Sequence, residues 1–260
     1  MFNRITAFVY GAVSYLVFLA TLLYAIGFLE NFAVPKSIDS GRQVPFSQAL
    51  LVNAALLTLF ALQHSIMARQ WFKKAWTRIV PAPVERSTYV LFSSVAMLLL
   101  FWKWQPMGGT VWNVESYTGR LALYALFTAG VLIVLAATFL INHFDLFGMR
   151  QVWLYLRKRE YIPLTFKTPG MYRMVRHPLY LGWLMVFWSA PVMTAAHLVF
   201  AIATTAYILI AIQLEERDLA TFHPEYVEYK RRVPMILPTG SSLSRGESQS
   251  LGKAVSEMES

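Results

Sequence analysis

The chain has 260 residues, of which 57% are hydrophobic and 14% are charged, and its formal net charge is +9. Soluble domains carry about 25% charged residues, so this composition excludes an ordinary soluble globule. The absence of cysteine excludes disulfides, a cysteine nucleophile and cysteine-bound metal. The five histidines have no metal-ligand spacing, and we expect no metal site.

Stretches without Asp, Glu, Lys or Arg predict the membrane helices, because one span needs about 20 apolar residues. Four of these stretches predict one span each, whereas the last, residues 177–214, is too long for a single helix. Pro191 lies near its middle and proline breaks helices, so we expect a hairpin that turns near residues 191–197. The predicted spans are about residues 6–29, 46–67, 87–105, 121–142, 178–193 and 196–214.

These spans predict an all-α polytopic membrane bundle of about six helices, which forms a single domain over residues 1–238. The remaining residues, 239–260, are rich in Ser, Gly and Glu and predict a disordered polar tail.

Basic residues are concentrated in alternate loops. Segments 69–86 and 145–176 and the stretch after residue 214 contain most of them. The intervening loops contain only four, namely Lys36, Arg42, Lys103 and Arg120. The positive-inside rule therefore predicts that both termini are cytoplasmic; a five-span alternative would place the basic C-terminal segment outside. Anionic lipid head groups account for this charge, and we expect no nucleic-acid partner.

Two polar clusters flank the predicted hairpin. Arg176 and His177 precede Pro178, a residue that suits the first turn of a helix, and Tyr180 lies on the same helical face. Glu215 and Glu216 follow the last span. A hairpin brings both clusters to one membrane surface, where carboxylates are costly unless paired or used for binding. The spacing alone permits either a binding site or an interfacial Arg–Glu network that fixes the hairpin.

The ordered pattern of these clusters resembles the isoprenylcysteine carboxyl methyltransferase superfamily. The matching motifs are Arg-His-Pro-x-Tyr-x-Gly at 176–182, Glu-Glu-x-x-Leu at 215–219, Tyr-x-x-Tyr at 226–229 and Val-Pro at 233–234. The N-terminal half is similar to the nurim-like subset, through Gln-His-Ser at 63–65 and Glu-Arg-Ser at 85–87. Within that subset, residues 142–148 and 161–166 are most similar to bacterial thiol methyltransferases.

This resemblance implies S-adenosylmethionine-dependent methylation of a small thiol, methanethiol to dimethyl sulfide, in a bacterial inner membrane. It also implies that the cofactor lies between the two polar clusters. The implied cofactor-binding residues are Gly170, Tyr172, Arg176, His177, Pro178, Tyr180, Glu215, Glu216 and Tyr229. Arg176 would pair with the cofactor carboxylate or with a glutamate, and the sequence does not choose between them.

A thiol reacts as its thiolate, so a group that accepts the thiol proton is expected near the substrate. The candidates for this catalytic role are His64, and His143 with Asp145. Residues two apart do not face each other on a helix, which weakens Asp145 as a group that orients the His143 ring. Either histidine can instead be purely structural.

Other functions remain open at this stage. A lipid or prenylated substrate would fit the same superfamily, and related folds include nicotinamide-dependent reductases. A non-enzymatic nurim-like scaffold or a transporter is a different class, since a fold does not fix a function. The charged residues lie at span ends, whereas a transporter would place them near the bilayer midplane.

Overall fold

The computed structural model describes residues 3–238, so the tail predicted for 239–260 lies outside the described residues. The elements in chain order are α1 (Arg4–Glu30), α2 (Phe46–Ala68), α3 (Gln70–Trp76), α4 (Ala82–Lys103), β1 (Thr110–Asn113), α5 (Tyr117–Ile141), α6 (His143–Leu146), α7 (Met149–Leu156), a 3-10 turn (Gly170–Arg173), α8 (Pro178–Trp188), β2 (Val192–Thr194), α9 (Ala195–Phe222) and α10 (Glu225–Arg232).

Five helices in the described part of the chain are long and apolar enough to cross a membrane, namely α1, α2, α4, α5 and α9. At about 1.5 Å per residue, the shortest of them, α4 with 22 residues, spans the roughly 30 Å hydrocarbon layer. Large apolar side chains such as Leu51 and Leu132 are exposed on their outer faces, as lipid contact requires. The predicted all-α polytopic fold is confirmed.

The hairpin differs from its prediction in one respect. Helix α8 has only 11 residues and is too short to span the membrane by itself. Residues 189–194 continue from α8 as a bend and the short strand β2, and α9 begins at Ala195. The predicted span 178–193 is therefore helical over its first 11 residues and non-helical over the last five.

An antiparallel pairing of β1 with β2 supports this extended chain. The Trp112 indole donates a hydrogen bond to the Ala190 carbonyl at 3.1 Å. Gly108 and Gly109, at φ 62° and 70°, turn the chain into β1 in a backbone region that favours glycine. The hairpin turn is thereby attached to the α4–α5 loop.

Helix α8 packs closely against α5 because glycines face each other at their crossing. A Cβ added to Gly182 would lie 2.7 Å from the Gly130 carbonyl oxygen, and a Cβ on Gly130 would lie equally close to the Gly182 carbonyl. Any larger residue at either position would force the helices apart. Gly182, the last residue of the Arg-His-Pro motif, is thus a packing residue.

Aromatic side chains fill the half of the bundle next to the paired strands β1 and β2, which we call the β1–β2 ribbon. The cluster includes Phe28, Phe101, Trp104, Phe187 and Phe200. Trp104 is fully buried and lies edge-on to Phe200 with ring centroids 5.6 Å apart. The opposite half of the bundle carries the polar side chains that form the site.

The start of α1 and the basic segments lie at the surface opposite the paired strands β1 and β2. The Arg4 guanidinium lies over the Tyr155 ring at 5.4 Å, and Arg69 pairs with Asp218 at 2.8 Å. These contacts join α1 to α7, and α2 to the end of α9. After the hairpin, the chain thus returns to the surface at which α2 ends. The prediction of six spans, with the last two forming a hairpin, requires this arrangement.

Candidate functional site

Glu216, near the C-terminal end of α9, is the centre of a buried ion cluster. Its Oε1 lies 2.7 Å from Arg176 Nε and 3.0 Å from His177 Nε2. Its Oε2 lies 2.7 Å from Lys230 Nζ. The Glu216 side chain is 2% exposed, and a charge so deeply buried is stable only when it is paired and hydrogen-bonded. The two polar clusters predicted to converge therefore do so through this carboxylate.

The segment after α10 fastens the start of α8. The Arg176 amide donates to the Pro234 carbonyl at 2.9 Å and the His177 amide donates to the Met235 carbonyl at 3.1 Å. The Arg176 guanidinium also donates to the carbonyls of Val233 and Lys230. Arg176 thus has three protein partners, through its Nε and one terminal nitrogen. It contacts a glutamate, one of the two partners considered for it.

Glu215 has a different environment from its neighbour. Its side chain is 44% exposed, and its Oε2 accepts a hydrogen bond from the Tyr180 hydroxyl at 3.0 Å. His177 Nδ1 is 4.0 Å from the same oxygen. Within residues 3–238, Glu215 Oε1 has no hydrogen-bonding partner. Glu215 can therefore accept hydrogen bonds from a ligand, whereas both oxygens of Glu216 are already used.

The 3-10 turn adds backbone and a phenol to the same region. Gly170 has φ 52°, and a Cβ there would lie 3.1 Å from the Leu140 side chain, so this position favours glycine. The Tyr229 hydroxyl donates to the Tyr172 carbonyl. Burial, followed by the Glu215 charge, raises the pKa of the Tyr172 phenol, which keeps this group protonated and able to donate.

A second polar group extends the site toward α2 and α4. His64 Nδ1 lies 3.1 Å from the Ser93 hydroxyl, and the Tyr89 hydroxyl lies 3.0 Å from His64 Nε2. Ser65 and Tyr207 share a hydrogen bond of 3.1 Å. Tyr89 and Tyr207 are both within electrostatic range of Glu215. His64 is partly exposed and contacts Tyr89, one of these two tyrosines.

His143 is held in a closed environment. Its Nε2 lies 2.7 Å from the Tyr15 hydroxyl and its Nδ1 lies 2.9 Å from the Thr138 hydroxyl. The ring stacks on Phe139 at a centroid distance of 4.3 Å, and the residue is 3% exposed. Both ring nitrogens have protein partners, as those of His64 do, and it is the burial of the ring that makes His143 typical of a structural histidine.

Asp145 does not orient the His143 ring. Its carboxylate accepts hydrogen bonds from Arg150 at 2.8 Å and from the Tyr161 hydroxyl at 3.3 Å. Since α6 is only one turn long, residues two apart point in different directions. A His143–Asp145 pair is therefore not present.

We predict a pH dependence of stability from His143. Burial lowers the pKa of its imidazole, so the unfolded chain takes up a proton more readily than the folded protein. Stability should therefore fall as the pH drops below about 6.5, the ordinary histidine pKa, by at most about 1.4 kcal/mol per pH unit. Thermal unfolding from pH 8 to 5 should show a flatter curve for His143→Gln than for the unmodified protein. Parallel curves would contradict this prediction.

Three residues of the site were not singled out in the sequence. Tyr207 lies eight residues before Glu215 on α9, which is two helical turns and the same face. Ser93 follows Tyr89 by four residues on α4. No sequence pattern indicated that Lys230 belongs to the site, because its contact with Glu216 depends on how α10 packs.

Comparison with known proteins gives one consistent set of relatives. The chain is 56% identical to methanethiol S-methyltransferase of Crocosphaera subtropica over 237 residues, which cover 91% of this chain and 93% of that protein. It is 52% identical to methanethiol S-methyltransferase of Mycobacterium tuberculosis, covering 91% and 97%. Nurim of Xenopus laevis is 30% identical, covering 82% of each chain. No protein-family profile and no solved structure matches the chain.

Proposed function

Because the chain belongs to the methanethiol S-methyltransferase family, we propose that it methylates methanethiol to dimethyl sulfide with S-adenosylmethionine as the methyl donor. In this reaction the thiolate sulfur gains the methyl group, and the donor leaves as S-adenosylhomocysteine. The observation that supports the proposal is the meeting of Arg176 and His177 with Glu215 and Glu216 at one end of the hairpin.

The described residues fit such a cofactor. S-adenosylmethionine supplies a methyl group activated by its sulfonium, and the protein supplies position and electrostatics. Glu215, half-exposed with a free carboxylate oxygen, suits the hydroxyl groups of a ribose. Tyr180 fixes this carboxylate through its hydroxyl, and the backbone of the turn at Gly170–Arg173 forms the adjoining wall.

Glu216 has an organising role in this proposal. It holds Arg176, His177 and Lys230 in place, and these residues set the position of Pro178 at the start of α8. Tyr229 holds the 3-10 turn through the Tyr172 carbonyl. In this proposal Glu216 thus positions the residues of the cofactor-binding surface, and Glu215 supplies the carboxylate that contacts the cofactor.

His64 is the residue that we assign to the thiol proton. A thiol must lose its proton to become a good nucleophile, and histidine is the usual acceptor near neutral pH. His64 is partly exposed and next to the Glu215 side of the site, with Ser93 and Tyr89 orienting its ring. His143 is only 3% exposed and its ring stacks on Phe139, so we assign it to the aromatic packing instead.

We assign the site to the cytoplasmic surface of a bacterial inner membrane. The polar cluster lies at the same surface as the basic segments 69–86 and 145–176, which the positive-inside rule places in the cytoplasm. S-adenosylmethionine would then bind from the cytoplasm.

A thiol panel tests the proposed function. Purified protein in detergent would be incubated with S-adenosylmethionine carrying a labelled methyl group and with methanethiol, ethanethiol or glutathione. We expect labelled dimethyl sulfide in the headspace with methanethiol. S-adenosylhomocysteine binding without product from any thiol would favour a lipid or prenylated substrate. A lack of both binding and product would favour a non-enzymatic nurim-like protein.

A further inference from the structure

A cavity of about 610 Å³ opens between the start of α4 and the α6–α7 region. We call it the Lys73 cavity, and its walls include Lys73, Glu85, Arg86, Asn142, Gln151 and Glu160. It lies at the same surface as the Glu216 cluster but does not include any residue of that cluster. It is large enough for part of a small organic ligand.

Two cations on one wall of this cavity lack an anionic partner. Among the described residues, Lys73 Nζ has no hydrogen bond or ion pair within 4.0 Å. The Arg86 Nε donates to the Leu146 carbonyl at 2.7 Å, and its terminal nitrogens have no hydrogen bond within residues 3–238. Burial, followed by repulsion from Arg86, lowers the pKa of Lys73. An anion bound between them would relieve this repulsion.

The acidic residues of the cavity suit the ammonium group of a zwitterion whose carboxylate contacts the two cations. Glu85 and Glu160 line the cavity and form no ion pair in the described part of the chain. Asp145 also lines it, but pairs with Arg150. Cations on one wall and free carboxylates nearby match an amino acid, which carries a carboxylate and an ammonium on one carbon. A simple polyanion would be repelled by the carboxylates.

Tyr89 connects this cavity with the proposed active site. The Arg86 guanidinium lies 4.9 Å from the centroid of the Tyr89 ring. The hydroxyl of the same residue contacts His64 and lies within electrostatic range of Glu215. Arg86, which lines the cavity, thus contacts the same tyrosine that contacts His64.

We propose that Arg86 and Lys73 bind the α-carboxylate at the amino-acid end of the methyl donor. This inference rests on the proposed function and deepens it. Arg176, the other arginine considered for that carboxylate, is engaged by Glu216 and by two backbone carbonyls. The nucleoside end then lies toward Glu215, and the reacting sulfur lies between the two ends, near Tyr89 and His64.

Two ligands that differ only in this carboxylate test the proposal. Calorimetry would measure binding of S-adenosylhomocysteine and of its decarboxylated analogue to the unmodified protein, Arg86→Gln, Lys73→Gln and Arg78→Gln. We expect Arg86→Gln and Lys73→Gln to weaken S-adenosylhomocysteine binding about 10- to 100-fold, as for loss of a charge-assisted hydrogen bond. Binding of the analogue should change less than about twofold. Arg78, exposed in the loop before α4 and outside the cavity, serves as the matched control.

Each other outcome overturns the inference. An equal loss for both ligands in the Lys73 and Arg86 variants would indicate a structural role, and no loss for either would exclude carboxylate binding. If the variants instead lose co-purified phospholipid and keep their affinity for S-adenosylhomocysteine, the cations bind a lipid phosphate. If the unmodified protein binds neither ligand, the proposed function itself fails, which is distinguishable from failure of the inference alone.

Discussion

Replacement of Glu216 by alanine should destabilise the protein by about 3–5 kcal/mol, the effect of leaving buried charges without their partner. The substitution would leave Arg176, whose side chain is 9% exposed, and His177, whose side chain is 6% exposed, without their carboxylate. It would also release Lys230, and with it the attachment of α10 to α9. We expect methyl transfer to be lost together with stability. Thermal unfolding in detergent and the dimethyl sulfide assay would measure the two effects.

The matched control for this substitution is Glu228→Ala. Glu228 pairs with Arg232 at 3.2 Å on the surface of α10, with side-chain exposures of 58% and 62%. Exposed pairs of this kind contribute less than about 1 kcal/mol, so the control should unfold at nearly the same temperature as the unmodified protein. An equally mild effect of Glu216→Ala would show that the cluster does not hold the hairpin.

His64→Gln should lower kcat for methanethiol about 10²- to 10⁴-fold, the usual contribution of a positioned acid–base group. The affinity for S-adenosylhomocysteine should be retained, because His64 contacts Ser93 and Tyr89 rather than the Glu215 carboxylate. Higher pH should restore part of the rate, since it raises the fraction of thiolate in solution. Rates from pH 6 to 10, with calorimetry for binding, would test all three expectations.

His223→Gln is the control for general effects of removing a histidine. His223 is partly exposed after α9, where its Nδ1 lies 3.5 Å from Glu225, and among the described residues it contacts none of His64, Ser93 and Tyr89. Its removal should leave kcat within about twofold of the original value, as expected for a surface change. A His64 variant with the same rate as this control at every pH would exclude the assigned role of His64.

The spans and the convergence of the two clusters were predictable from the sequence, because both follow from strong signals. Long apolar runs locate helices α1, α2, α5 and α9, and Pro191 indicates the hairpin between α8 and α9. The β1–β2 ribbon escaped prediction since its strands have four and three residues. Segments this short carry too little periodicity to be recognised.

The site was predictable to a smaller extent. Neighbouring glutamates look alike in sequence, whereas in the fold Glu216 is buried against Arg176, His177 and Lys230 and Glu215 is half-exposed. The two histidines considered as bases also differ in burial, because different helices surround His64 and His143. Such differences arise from tertiary packing, and no local pattern encodes them.

The attachment of residues 234 and 235 to the start of α8 has a consequence for biosynthesis. The backbone amides of Arg176 and His177 donate to the carbonyls of Pro234 and Met235, which leave the ribosome almost sixty residues later. All apolar helices can enter the bilayer before this junction exists. A nascent chain that stops shortly after α9 would thus be inserted in the membrane without this junction. The start of α8 would be fixed in place only after residues 234 and 235 have been translated.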